Sequence, residues 1–279
     1  MQIFEDLTFI NLSHNQSITQ IPDLSGAKKL RVFTLDKCHK LVRFDKSIGF
    51  MPNLVYLSAW GCKELKSFVP KMYLPSLQVL SFNLCKNFEY FPHVEKKMDK
   101  PLKIHMVYTA IKEFSKSISN LTGLEYIDIS ICKELKDLSS SFLMLPKLVT
   151  LKIDGCYQLR TSFQRFKDSH SVANGYPNLE KLHFSEANLT YEDVSAIIEK
   201  FPKLQDLKVS HSSFVALPNC IRGSLHLKSL DVSFCKNLTK VPELPLYIQK
   251  IDARNCQSLT SEASSLLWSK VLLLSPLFT

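Results

Sequence analysis

A chain of 279 residues with 45% apolar and only 22% charged side chains can bury a large core, which excludes wholesale disorder. Seven glycines against thirteen prolines, with no GxGxxG and no GxxxxGK(S/T) string, argue against a domain whose backbone must approach phosphate closely. The net charge of +9, from 35 Lys and Arg against 26 Asp and Glu, forms no dense cluster; it reads as solubilising charge and indicates no nucleic-acid partner.

In chain order, the opening MQIFEDLTFINL lacks the positive region and small-residue cleavage site of a signal peptide, so secretion is not expected. From there an internal repeat runs almost to the end. With L standing for any aliphatic or aromatic residue, the frame L-x-x-L-x-L-x-x-(N/C/T/S/A) starts at Leu7, Leu30, Leu54, Leu77, Pro101, Leu124, Leu148, Leu179, Leu204, Leu227 and Ile248. The strings LRVFTLDKC, LVYLSAWGC, LQVLSFNLC, LEYIDISIC, LVTLKIDGC and LKSLDVSFC are copies of one unit. Alternating apolar residues make each copy a short strand with one buried face, which a single repeat cannot shield from water. Stacking supplies the shield. The expected fold is a leucine-rich-repeat solenoid of the α/β horseshoe class, with about eleven repeats over residues 1–260 and a parallel β-sheet on the concave face.

After each strand the chain returns through segments such as NQSITQIP, CKNFEYFP and CKNLTKVP, where Pro22, Pro92, Pro218 and Pro242 predict a convex side of loops that pairs with no sheet. The repeat spacing stretches once, around a polar insert over residues 160–178 that reads as an extruded loop. In the next repeat, Thr190 and Asp193 begin a T-x-x-D start, and Val194, Ile197, Ile198 and Phe201 recur at helical spacing, so a helix is predicted near 191–201. Residues 261–279 read as a carboxyl-terminal tail whose apolar run is too short to cross a bilayer.

The cysteines obey the frame. Cys38, Cys62, Cys85, Cys132, Cys156, Cys235 and Cys256 all take the ninth position, where Asn15, Thr109, Ala187 and Ser212 stand in other repeats. A small side chain with a weak donor there can satisfy carbonyls of the neighbouring coil, which predicts a structural ladder. No C-x-x-C occurs, the spacing lacks zinc clustering, and buried thiols favour a reducing compartment. Cys220 lies outside the ladder and reads as a convex-face residue.

With the ladder and the I-P, F-P and L-P endings established, the chain resembles the repeat region of plant intracellular immune receptors of the TIR-NBS-LRR type. The strings LDVSFCKNLTKVPELPLYIQKIDARNCQSLT and LTFINLSHNQSITQIPDLSG look like repeats of legume members. The TIR and nucleotide-binding domains of such receptors are not in this sequence, so the chain reads as a fragment or truncated product. The resemblance implies a binding module in the cytoplasm, with the nucleus as a second compartment. Its partner would be a pathogen effector or the nucleotide-binding domain of a full-length receptor, with no small-molecule substrate, cofactor, membrane or catalysis.

A partner would meet the x positions of the strands. The third frame position changes midway, from Phe9, Val32, Tyr56, Val79, Lys103 and Tyr126 to Thr150, Lys181, Asp206, Ser229 and Lys250. Tyr56, Trp60, Tyr108 and Tyr126 form the expected hydrophobic anchor, with Leu84, Ile131 and Phe234 beside it; the alternative is that the rings pack on one another along an idle sheet. The histidines form no nucleophile–base–acid pattern and read as solvated, and no carboxylate pair or metal-ligand set stands out. Two rival readings are an extracellular receptor repeat, to which five N-x-S/T sequons would speak, and the substrate arm of a ubiquitin ligase, which requires an F-box.

Overall fold

The computed structural model describes residues 4–138, 142, 145–159 and 178–274, and the chain divides into two compact units, Met1–Leu148 and Val149–Thr279. The insert expected at 160–178 lies outside the described residues except for Asn178. In the first unit, strands Phe9–Asn11, Val32–Thr34, Tyr56–Ser58, Val79–Ser81, Leu102–His105 and Leu124–Asp128 pair in parallel in that order. In the second, strands Thr150–Lys152, Lys181–His183, Asp206–Lys208, Ser229–Asp231 and Lys250–Asp252 do the same. Within each unit third position pairs with third position, as in Val32 with Tyr56 and Asp206 with Ser229. Each unit is therefore a leucine-rich-repeat solenoid.

Burial enforces that register. The fourth-position residues Phe33, Leu57, Leu80, Ile104 and Ile127, and Leu151, Leu182 and Leu207 in the other unit, are inaccessible to solvent. Slipping a strand by one residue would expose this column, and each side chain stabilises the fold by roughly 1.5–3 kcal/mol when buried. In the first unit a phenylalanine chain threads the core: Phe44 meets Phe68 edge-on at 5.0 Å, and Phe82 stacks on Phe88 at 4.6 Å.

Repeat-to-repeat bonding continues past the strands. The eighth-position N–H donates to the seventh-position carbonyl of the next repeat, from Leu84 to Val107 at 2.8 Å and from Phe234 to Arg254 at 2.7 Å. All eleven eighth positions have positive φ; nine are His14, Lys37, Leu84, Tyr108, Ile131, Glu186, His211, Phe234 and Asn255, and two are Gly61 and Gly155. That left-handed residue turns the chain off the sheet and aims the ninth side chain into the core.

Two expectations require correction. The return side, expected to pair with no sheet, carries two-residue parallel pairs, Gln20–Ile21 with Arg43–Phe44 and Lys71–Met72 with His93–Val94. The prolines permit this because Pro22 and Pro92 lie just outside the paired residues, and Arg43 adds two bonds to Gln20 Oε1. The segment 261–279, expected as a tail, contains an α-helix over Ser261–Leu274. Thr260 caps it, its Oγ1 accepting the Ala263 N–H at 3.2 Å while Ala263 is buried. The α-helix Tyr191–Lys200 starts with a complete capping box between Thr190 and Asp193.

Candidate protein-binding surface

The third and fifth frame positions flank the buried fourth-position column and, by strand alternation, fall on the opposite face of the sheet. In the first unit, Tyr56 and Tyr126 at the third position are half-buried, and Phe9 is 55% exposed. Tyr126 leans on the His105 ring at 5.0 Å and donates its hydroxyl to Asp128 Oδ2 at 3.2 Å. Burial, and then the Asp128 charge, push that hydroxyl up to about 12. Trp60, at the seventh position, is also half-buried. Its backbone N–H donates to Asp36 Oδ1 at 2.9 Å, and Lys37 Nζ sits 4.9 Å from its ring centroid.

The remaining anchor residues differ in kind. Leu84, Tyr108 and Ile131 occupy successive left-handed eighth positions and are 41%, 45% and 42% exposed. A left-handed residue other than glycine costs about 1–2 kcal/mol, and a β-branched one such as Ile131 is disfavoured further. The sequence signal was hidden, because the residues in this column that favour the conformation, Gly61, Gly155, Asn255, His14 and His211, all stand in other repeats. Phe234 lies in the second unit, half-buried and stacked face to face on His211 at 4.4 Å.

The ninth position is structural in its contacts. Cys38, Cys62, Cys85, Cys132 and Cys256 point Sγ at the sixth-position carbonyl of the preceding repeat at 3.0–3.2 Å, and Cys235 does so at 3.5 Å. Cys156 is buried as well, and all eight cysteines are free thiols. Burial pushes Cys85 and Cys235 up to about 12 and raises Cys38, Cys62, Cys132 and Cys256. A thiol held protonated is a poor nucleophile and a poor metal ligand.

The corresponding face of the second unit is charged. His183, expected to be solvated, instead sits between two carboxylates: Nε2 is 3.3 Å from Asp206 Oδ2, and Nδ1 is 4.0 Å from Asp154 Oδ2. The hydrogen bond from His183 holds the Asp206 carboxyl below its usual range. These residues are 23 and 29 positions from His183 and meet only because the repeats stack. Among the described residues, no group of three His, Cys, Asp or Glu side chains is placed to hold a metal ion, and no helix is long and apolar enough to cross a membrane.

Residues 73–244 match the family model of the leucine-rich repeats of RPS4B-like disease resistance proteins. The chain is 28% identical to TMV resistance protein N of Nicotiana glutinosa, over 85% of this chain and 24% of that protein. It is 25% identical to disease resistance protein RPS4B of Arabidopsis thaliana, over 93% and 19% respectively. It therefore spans about a quarter or less of these relatives. Among solved structures, the leucine-rich-repeat domain of the type III effector XopL is 18% identical, with 86% of this chain and 75% of that chain covered at a TM-score of 0.42. The TLR13–ssRNA13 complex matches at 16% identity, 86% and 48% coverage and a TM-score of 0.46. With a family match spanning more than half its residues, the chain belongs to the leucine-rich-repeat family of RPS4B-like disease resistance proteins.

Proposed function

We propose that this chain is the protein-recognition module of a plant intracellular immune receptor and performs no chemistry itself. Its partner is a pathogen effector or the nucleotide-binding domain of a full-length receptor, and it acts in the cytoplasm, with the nucleus as a second compartment. The observation that carries this reading is the aromatic and apolar character of the first unit's outward side chains, Tyr56, Trp60 and Tyr126 on the sheet side and Leu84, Tyr108 and Ile131 beside it. Side chains that avoid water yet stand outside the core column contribute little to folding and much to association. The Trp60 ring is held by Lys37 and the Tyr126 ring by His105 and Asp128, so little ordering remains to be done on binding.

The test compares wild type with a Tyr56→Ala, Trp60→Ala double variant in quantitative capture from infected leaf tissue and against a purified receptor nucleotide-binding domain. The melting temperature of each is followed. A partner held by wild type and lost by the variant at unchanged melting temperature supports the reading. A lowered melting temperature with capture unchanged contradicts it.

A further inference from the structure

The eighth-position column poses a physical problem in repeats four to six. Every repeat bends through a left-handed residue there, and the frame accepts glycine or asparagine, as Gly61, Gly155 and Asn255 show. Leu84, Tyr108 and Ile131 instead place large apolar side chains at that strained conformation and leave 41–45% of each in water. They oppose folding through the backbone and oppose solubility through the side chain. The left-handed turn itself is common to all eleven repeats; what sets these three apart is the run of consecutive large apolar side chains standing on it.

From this column, deepening the protein-recognition reading above, we infer that Leu84, Tyr108 and Ile131 form a docking strip for an amphipathic helix of a partner protein, apolar on one face and acidic at its borders. Spacing selects the helix. The N–H groups of Leu84 and Tyr108 still bond to the next repeat, at 2.8 and 2.9 Å, so the strip keeps the strand pitch of about 4.8 Å. Same-face residues of a helix lie about 5–6 Å apart, whereas alternate residues of an extended strand lie about 6.6 Å apart and fall out of step within two repeats. Helical residues at i, i+3 or i+4, and i+7 therefore meet the three side chains in turn. Between Tyr108 and Ile131 a shallow cavity of about 190 Å³, lined by Lys86, Thr109, Ala110, Lys133 and Glu134, receives one such apolar residue.

Charge selects the borders. Exposed Lys86 and Lys133 recur two residues after the eighth position in repeats four and six, line the cavity, and make no ion pair among the described residues. Glu134, across the cavity, lies in the field of Lys112, which is itself bonded to Glu89 at 2.7 Å. Two lysines thus face one glutamate at the cavity, and acidic flanks on the helix answer that net positive charge.

The experiment uses the whole chain and a synthetic helical peptide of about 20 residues, long enough to hold helix in water, with leucines at i, i+4, i+7 and i+11 and glutamates at the borders. A shuffled peptide and a lysine-for-glutamate peptide are controls, and fluorescence anisotropy reads binding. The acidic helix is expected to bind at least tenfold more tightly than either control. Leu84→Asn and Tyr108→Asn are each expected to weaken it at least tenfold while leaving the melting temperature unchanged or raised, since asparagine relieves the left-handed backbone. Equal binding of the shuffled peptide, or a lowered melting temperature in both variants, would overturn the inference. Peptide binding lost only in the Tyr56→Ala, Trp60→Ala variant would also overturn it and leave protein recognition by the sheet side standing.

Discussion

The first unit presents Tyr56, Val79 and Tyr126 at the third frame position and Leu84, Tyr108 and Ile131 at the eighth, where the second unit presents Lys181, Asp206, Ser229 and Lys250, and Gly155, Glu186, His211, Phe234 and Asn255. Both fold the same frame, with the same strand register, the same left-handed turn and the same inward cysteines. The frame thus places side chains without prescribing them. What differs between the units is free of the fold, and the proposed recognition rests on that freedom. Polar contacts belong to the shared frame as well: Asp36 and Asp154 accept the backbone N–H of Trp60 and Ser185 in the next repeat, while Asp128 and Asp231 accept those of Ser130 and Ser233 in their own.

The largest way to break the comparison is through the frame. A Cβ at Gly123 would lie 2.0 Å from the Lys100 carbonyl oxygen, which is backbone and cannot swing aside. Gly123→Ala is expected to cost at least about 3 kcal/mol in urea unfolding followed by circular dichroism, whereas Gly223, where an added Cβ meets nothing within 4 Å, is expected to accept alanine with little change.

Alkaline titration probes a feature both units share. The folded thiols of Cys85 and Cys235 stand at about 12 against an ordinary 9.0, so their contribution is complete below pH 9.0 and is lost as pH rises toward the folded value. The loss is on the order of 3 kcal/mol for each thiol at about pH 11. Cys85→Ala and Cys235→Ala should each flatten the urea midpoint against pH in that window; an unchanged slope would mean that the ladder is not dry.

Exchange of the faces sharpens the contrast at smaller cost. Tyr56→Ala with Trp60→Ala is expected to lower partner affinity at least tenfold, about 1.4 kcal/mol, while Lys181→Ala with Lys250→Ala in the second unit changes it less than about threefold by calorimetry. The smallest effect is chemical. Under native conditions a thiol-specific reagent should modify Cys220 first, because it alone among the eight cysteines is not buried, with mass spectrometry locating the adduct.

Much of the fold could be read from the residues because burial repeats. Leu57, Leu80 and Leu151 recur at a fixed offset from inward cysteines, and no other arrangement hides them. The Tyr191–Lys200 helix was equally visible through Thr190 and Asp193. The Ser261–Leu274 helix was not, since its apolar residues follow no helical period and its cap, Thr260, has no acidic partner three residues on. Of the candidate surface, the residues were legible and their conformation was not. Leucine, tyrosine and isoleucine carry no sign of a positive φ, and the clue lay in the GC pairs at Gly61–Cys62 and Gly155–Cys156, where glycine holds the same place in the frame. The His183 contacts with Asp154 and Asp206 depend on stacking over separations that local reading does not cover.

Neighbouring residues Ile131 and Cys132 separate face from frame most sharply. Ile131 looks outward from a left-handed backbone, and Cys132 looks inward to the Met106 carbonyl at 3.2 Å. In paired denaturant titrations, Ile131→Asn is expected to hold or raise the wild-type midpoint and Cys132→Ala to lose about 2 kcal/mol. A loss at Ile131 as large as that at Cys132 would contradict the division of labour on which this account is built.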